Sequence, residues 1–166
     1  MLSKLKKQAN GFTIIEVMIV LAIAALILVV VLIAVPQLQR NQRNSARRDI
    51  SGRIKAELDN FAGNNNGTYP APVAADVTNN FGTSPADTNS FLGKYLRGVN
   101  INDPQTGAAP TFNVAGALPS PIPAGTIVYR TGVICNGEVP NGAGSARNYA
   151  LAAGLEGNAS FCLDNR

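Results

Sequence analysis

The 166-residue chain has no His and no Trp, and only two Cys. Without His, the side chain whose ordinary pKa lies nearest neutrality is missing, and so is the commonest metal-binding imidazole. Most general-base readings would then need a pair of carboxylates, and no spacing suggests one. There is no Gly-rich phosphate loop, no nucleophile beside a base and no cluster with metal-ligand spacing. No enzymatic activity, cofactor or metal is therefore expected. Charge is also scarce, at 14% of residues, and its excess is local. Lys4, Lys6 and Lys7 all precede Gly11. Without residues 1–11, Lys plus Arg falls from 14 to 11 against 10 acids, a net charge of +1. The basic balance of the whole chain is thus no argument for a specific nucleic acid partner.

What the chain does have is an apolar run. Val17 to Val35 contains only Val, Met, Ile, Leu and Ala. At about 1.5 Å per residue it spans roughly 28 Å, close to the hydrocarbon thickness of a bilayer. A cleaved secretory signal has a shorter apolar core of about 7–15 residues and a small-residue exit. Leu32-Ile33-Ala34-Val35-Pro36 fits that exit poorly. The leader lysines favour a cytoplasmic N-terminus, although Arg40, Arg43, Arg47 and Arg48 follow the run.

Beyond the run, Ala46, Ile50, Ile54, Leu58 and Phe61 recur at helical spacing, one apolar stripe on an otherwise polar helix. Only Gly52 interrupts the pattern, and Pro36 is expected to kink the helix without ending it. The reading is one long bent helix from Phe12 to about Ala62. Its first half is apolar all round and its second half amphipathic. The six basic residues Arg40, Arg43, Arg47, Arg48, Arg53 and Lys55, less Asp49, Glu57 and Asp59, leave +3, read as a solvated or intersubunit face rather than a DNA-binding one.

Glu16 is the odd residue, a carboxylate at the mouth of the apolar run. Thr13-Ile14-Ile15-Glu16 fits a helix capping box. Alternatively, Glu16 marks the membrane boundary, where a charge costs well below the roughly 2.5–3.5 kcal/mol of the helix centre. Neither account explains Gly11-Phe12 or the basic leader.

Downstream, Gly63 to Asp76 is turn-rich. Phe91–Leu96 is a short helix candidate, and Thr111–Ala115, Thr126–Ile134, Asn148–Leu155 and Ser160–Leu163 are strand candidates. Glu156-Gly157-Asn158 is placed as a hairpin turn. The expected fold class is α+β: a small antiparallel sheet packed on the stripe Ile50-Ile54-Leu58-Phe61. The aromatic residues, Phe12 included, are read as packing residues. Asp76, Asp87 and Asp103 match no compact calcium loop and are read as solvated turn acids. Asn66-Gly67-Thr68 and Asn158-Ala159-Ser160 match a glycosylation triplet, as chance allows in an Asn-rich chain. Cys135 and Cys162 would close a loop of about 28 residues if oxidised, worth on the order of 3 kcal/mol. A free-thiol pair is the other possibility, and export would favour the disulfide.

Lys6-Lys7-Gln8-Ala9-Asn10-Gly11-Phe12-Thr13-Ile14-Ile15-Glu16, with the apolar run and a proline after it, resembles a type IV prepilin. The resemblance implies a basic leader, residues 1–11, cut after Gly11 by a prepilin peptidase. Phe12 becomes an N-methylated first residue and Glu16 the fifth-position glutamate. It further implies an apolar membrane and filament-core half, 12–36, an amphipathic half, 37–62, and a β-rich head, 63–166. One departure stands out. Twenty positions separate Glu16 from Pro36, where seventeen is common in the family. Asn66-Gly67-Thr68-Tyr69-Pro70 and Asp103-Pro104-Gln105-Thr106-Gly107 look like turns of pilins and pseudopilins, and a Cys135–Cys162 bridge would resemble their loop-closing disulfide. The implied partners are further copies of the chain, the peptidase, the assembly machinery of the cytoplasmic membrane, and membrane lipid before assembly. The implied role is a surface-filament subunit for adhesion, motility or DNA uptake, with a pseudopilin or minor pilin as the alternative. A membrane-anchored binding module is the rival from another class.

Overall fold

The computed structural model describes residues 11–72, 81–82 and 89–166. The chain divides between Gln39 and Arg40 into two units. One helix, α1 (Ile14–Asn64), runs through that division with Pro36 inside it. It starts and ends two residues later than the periodicity suggested. Thr13 caps its start, its Oγ1 accepting the Glu16 N–H at 3.3 Å. Its far end passes Gly63 and closes at Asn66 and Gly67, both at positive φ, where the Gly67 N–H reaches back to the Ala62 carbonyl. The six-residue return and the left-handed residues are how a helix satisfies its last carbonyls.

In the first unit every described residue is exposed, Phe12 at 84%. The helix is long and apolar enough to cross a bilayer, and none of its apolar span is buried within the chain. An apolar surface with no internal partner must be covered by lipid or by other chains.

The second unit has a core of its own. A second helix, α2 (Phe91–Tyr95), is capped by the buried Ser90, whose Oγ accepts the Gly93 N–H. Six strands follow: β1 (Thr111–Asn113), β2 (Thr126–Thr131), β3 (Val133–Asn136), β4 (Val139–Ala143), β5 (Tyr149–Gly154) and β6 (Ser160–Asp164). Four of them form a sheet in the order β1-β2-β5-β6, and β3 and β4 form a separate ribbon. Ile127, Tyr129, Tyr149, Leu151 and Ala153 pack with Ile50, Ile54, Leu58 and Phe61 of α1 in one core. Phe81, Phe91 and Phe112 complete it, with Phe81 stacked on Tyr129 at 4.1 Å.

Three features depart from the sequence expectation. The sheet is not wholly antiparallel, since β1 runs parallel to β2. The candidate strand Thr126–Ile134 is two strands. Gly132, at φ 73°, turns the chain out of the sheet and into the ribbon, which accounts for the imperfect alternation. The ribbon's second strand, Val139-Pro140-Asn141-Gly142-Ala143, was not anticipated, because Pro, Asn and Gly are poor strand residues.

The sheet is also covered on both faces. Ile122 and Leu118, from the loop before β2, pack over Val128, Ala152 and Cys162 on the side away from α1. Hence β5 is buried along its whole length, as its unbroken apolar run Tyr149-Ala150-Leu151-Ala152-Ala153 demands. The loop passes so close that a Cβ on Gly154 would collide with the Pro123 carbonyl. Gly154→Ala is expected to cost about 3 kcal/mol, the upper end for overpacking against backbone. Gly52→Ala, in open space on exposed α1, should instead gain about 1 kcal/mol. Opposite shifts of the urea midpoint check both.

Candidate functional site

The residues singled out near the N-terminus lie together on the start of α1. The Thr13 cap uses the backbone N–H of Glu16, which leaves the Glu16 carboxylate outside that bond. Phe12, Glu16, Val17, Val20 and Leu21 line one shallow groove of about 220 Å³, in which Glu16 and Val20, like Val17 and Leu21, are four apart on the helix. The carboxylate is therefore the one acid on an apolar strip that ends at the Phe12 ring. Pro36 lies on the same helix 20 positions on. The leader lysines and Asn10, together with Asp76 and Asp87, fall outside the described residues. Among the described residues no group of three or more His, Cys, Asp or Glu side chains lies close enough to hold a metal.

A second polar constellation was not foreseen. The first position of the apolar stripe is Arg47, 3% exposed, while Ala46 beside it is only half-buried. The Arg47 guanidinium donates through Nε and Nη2 to both oxygens of Asp103, at 2.6 and 3.2 Å. Nη2 also reaches Gln105 Oε1, and Nη1 donates to Glu156 Oε1 at 3.2 Å. Arg43 grips the same Glu156 with Nε and Nη2, and Asn44 Oδ1 accepts the Glu156 N–H. The arginine run is thus not a solvated face throughout. Arg43 and Arg47 are held inside the chain by two acids from distant loops.

Asp103 is likewise no solvated turn acid, being 3% exposed. Its Oδ1 also accepts the N–H groups of Gln105 and Thr106, and its backbone closes the turn to Gly107 and Ala108. Burial pushes its carboxyl up, but Arg47 and the two N–H groups outweigh this and hold it below the ordinary carboxylate range. The Arg43 hydrogen bonds lower the Glu156 carboxyl in the same direction, against a smaller cost of burial. Asp103 is thus committed to Arg47 and to its own turn. The clue in the sequence was spacing. Arg47 stands three before Ile50 and seven before Ile54, on the buried stripe.

Cys135 and Cys162 form a disulfide, with Cα atoms 5.9 Å apart. It joins the β3–β4 ribbon to β6.

No curated protein and no solved structure matches the chain. Residues 6–32 match the family model of the prokaryotic N-terminal methylation motif. Together with the bare apolar helix that begins inside the match, they give the chain the class III leader that marks type IV pilin-like proteins.

Proposed function

We propose that the chain is a structural subunit of a type IV pilus. In this reading a prepilin peptidase cuts after Gly11, Phe12 is methylated, and the subunit waits in the cytoplasmic membrane with residues 12–36 in lipid. Assembly then moves the apolar half of α1 from lipid to the core of a surface filament made of further copies. The observation that carries the reading is the methylation motif at residues 6–32, set on a helix whose apolar surface has no partner among the described residues. The new amine at Phe12 supplies a charge partner for Glu16 of a neighbouring copy. Adhesion, motility and DNA uptake are all served by this design.

The test is the intact mass and N-terminal residue of the protein in a sheared surface fraction. The expected chain begins at Phe12, carries one methyl group and is lighter by the two hydrogens of the disulfide. It should be abundant there. The same processed chain confined to the membrane fraction would instead indicate a pseudopilin or minor subunit. A surface chain that still begins at Met1 would overturn the pilin reading.

A further inference from the structure

The ribbon β3–β4 holds one residue out of register. Val133 pairs with Ala143 and Ile134 with Gly142, but Asn136 pairs with Val139. Two residues of β4, Pro140 and Asn141, therefore stand opposite Cys135, which has no strand partner there. This is a β-bulge, and Pro140, which has no N–H, is a residue that bulges tolerate. In a strand, one residue's N–H and C=O point to the same side. Both such groups of Cys135 are taken by side chains that follow Cys162. Asp164 Oδ2 accepts the Cys135 N–H at 2.9 Å, and Arg166 Nη2 donates to the Cys135 carbonyl at 3.2 Å. Arg166 Nε closes the set on Asp164 Oδ2 at 3.1 Å. The pair thus does for Cys135 what a neighbouring strand would do. Cys162 and Asp164 are two positions apart on β6 and project from one face, so the grip on the Cys135 backbone brings the two sulfurs to the same place. Burial pushes the Asp164 carboxyl up, but the N–H groups of Cys135 and Arg166 and the guanidinium hold it below its ordinary range.

We propose that Asp164 and Arg166 are positioning residues for oxidation of the Cys135–Cys162 pair, forming a clip that seats Cys135 against Cys162 before the sulfurs bond. The chemistry is ordinary exchange with an external disulfide such as oxidised glutathione. One cysteine thiolate attacks it and releases one reduced glutathione. The other attacks the mixed disulfide at the cysteine sulfur and releases the second. Two electrons pass to glutathione, which leaves with the thiol protons. The clip takes no part in these transfers. It raises the fraction of reduced chains in which the second attack is within reach.

The experiment uses the full chain in detergent micelles, reduced and then equilibrated in glutathione buffers, with the oxidised fraction read by alkylation and mass. Asp164→Leu is expected to lower the equilibrium constant for closure on the order of tenfold, the scale of one hydrogen bond to a charged group. Asp164→Asn keeps an acceptor oxygen and should recover most of the loss. In the reduced native chain the Cys135 amide should exchange slowly with deuterium, and in the Leu variant quickly. A purely structural role would lower stability equally in both redox states and leave the closure constant unmoved. A constant within twofold of native in a folded Asp164→Leu chain would overturn the proposal. Should that variant fail to fold when reduced, Arg166→Ala decides: a threefold or larger fall upholds the clip, and no change overturns it.

Discussion

Arg47→Ala is expected to cost about 3 kcal/mol. The guanidinium itself is not the reason, since an ion pair withdrawn from water recovers little more than its own desolvation. The cost comes from what is left behind. Asp103, 3% exposed, would keep its negative charge with no cation against it. Breaking a buried pair from one side costs about 3–5 kcal/mol. The low end applies because Gln105 and Thr106 still donate their N–H groups to Asp103, and Arg43 still holds Glu156. Arg47→Lys should recover only part of the loss, because an ammonium cannot span both oxygens of Asp103 and also reach Glu156. Urea unfolding of the three chains measures this. The pH dependence follows with its sign. Asp103 and Glu156 both have folded pKa values below their ordinary ones. Their contribution is fully present above about pH 5 and is lost as pH falls through the ordinary carboxylate range towards the lowered values. Arg47→Ala should therefore flatten the acid side of the stability profile while lowering the plateau. A profile with an unchanged acid limb would count against the pairing.

Glu16→Ala is expected to abolish surface filaments while leaving processed subunit in the membrane. Under the proposed function, Glu16 meets the amine of Phe12 from a neighbouring copy inside an apolar core. Two charges about 4 Å apart attract by roughly 4 kcal/mol at an effective dielectric near 20. In the variant that amine would be buried alone. The contrast with Thr13 separates this from a capping role. The Thr13 cap binds the backbone N–H of residue 16, so Glu16→Ala leaves it in place, whereas Thr13→Ala removes it at a cost of about 1 kcal/mol. Filaments should survive the Thr13 change and not the Glu16 change. The comparison is the amount of sheared fibre against processed chain in the membrane, and wild-type fibre from Glu16→Ala would remove Glu16 from assembly.

Legibility in the sequence followed the range of the signal. The apolar run and the stripe Ile50-Ile54-Leu58-Phe61 are local periodicities, and the helix lies within two residues of where they place it. The strands β5 and β6, with Glu156 in their turn, were legible for the same reason. Pairing partners are not a local property, so nothing in Thr111-Phe112-Asn113 announced a parallel neighbour. Gly132 read as a blemish in one strand because its positive φ is invisible in a pattern of apolar residues. Arg47 was missed because it looks like its neighbours Arg43 and Arg48. Its place on the stripe, three before Ile50, was the one local clue, and its partners lie 56 and 109 positions away.

The sheet has two edges, and their treatment bears on a chain that already carries a bare apolar helix. An open strand edge is a template for uncontrolled pairing with another molecule. On one side β1 offers only three residues. On the other, β6 is tied to the ribbon by the disulfide and by Asp164 and Arg166. Among the described residues, one edge is thus short and the other tied to the ribbon. Under the proposed function, association between copies belongs to the helix, where register can be chosen, and the short or tied edges of the sheet offer it little competition.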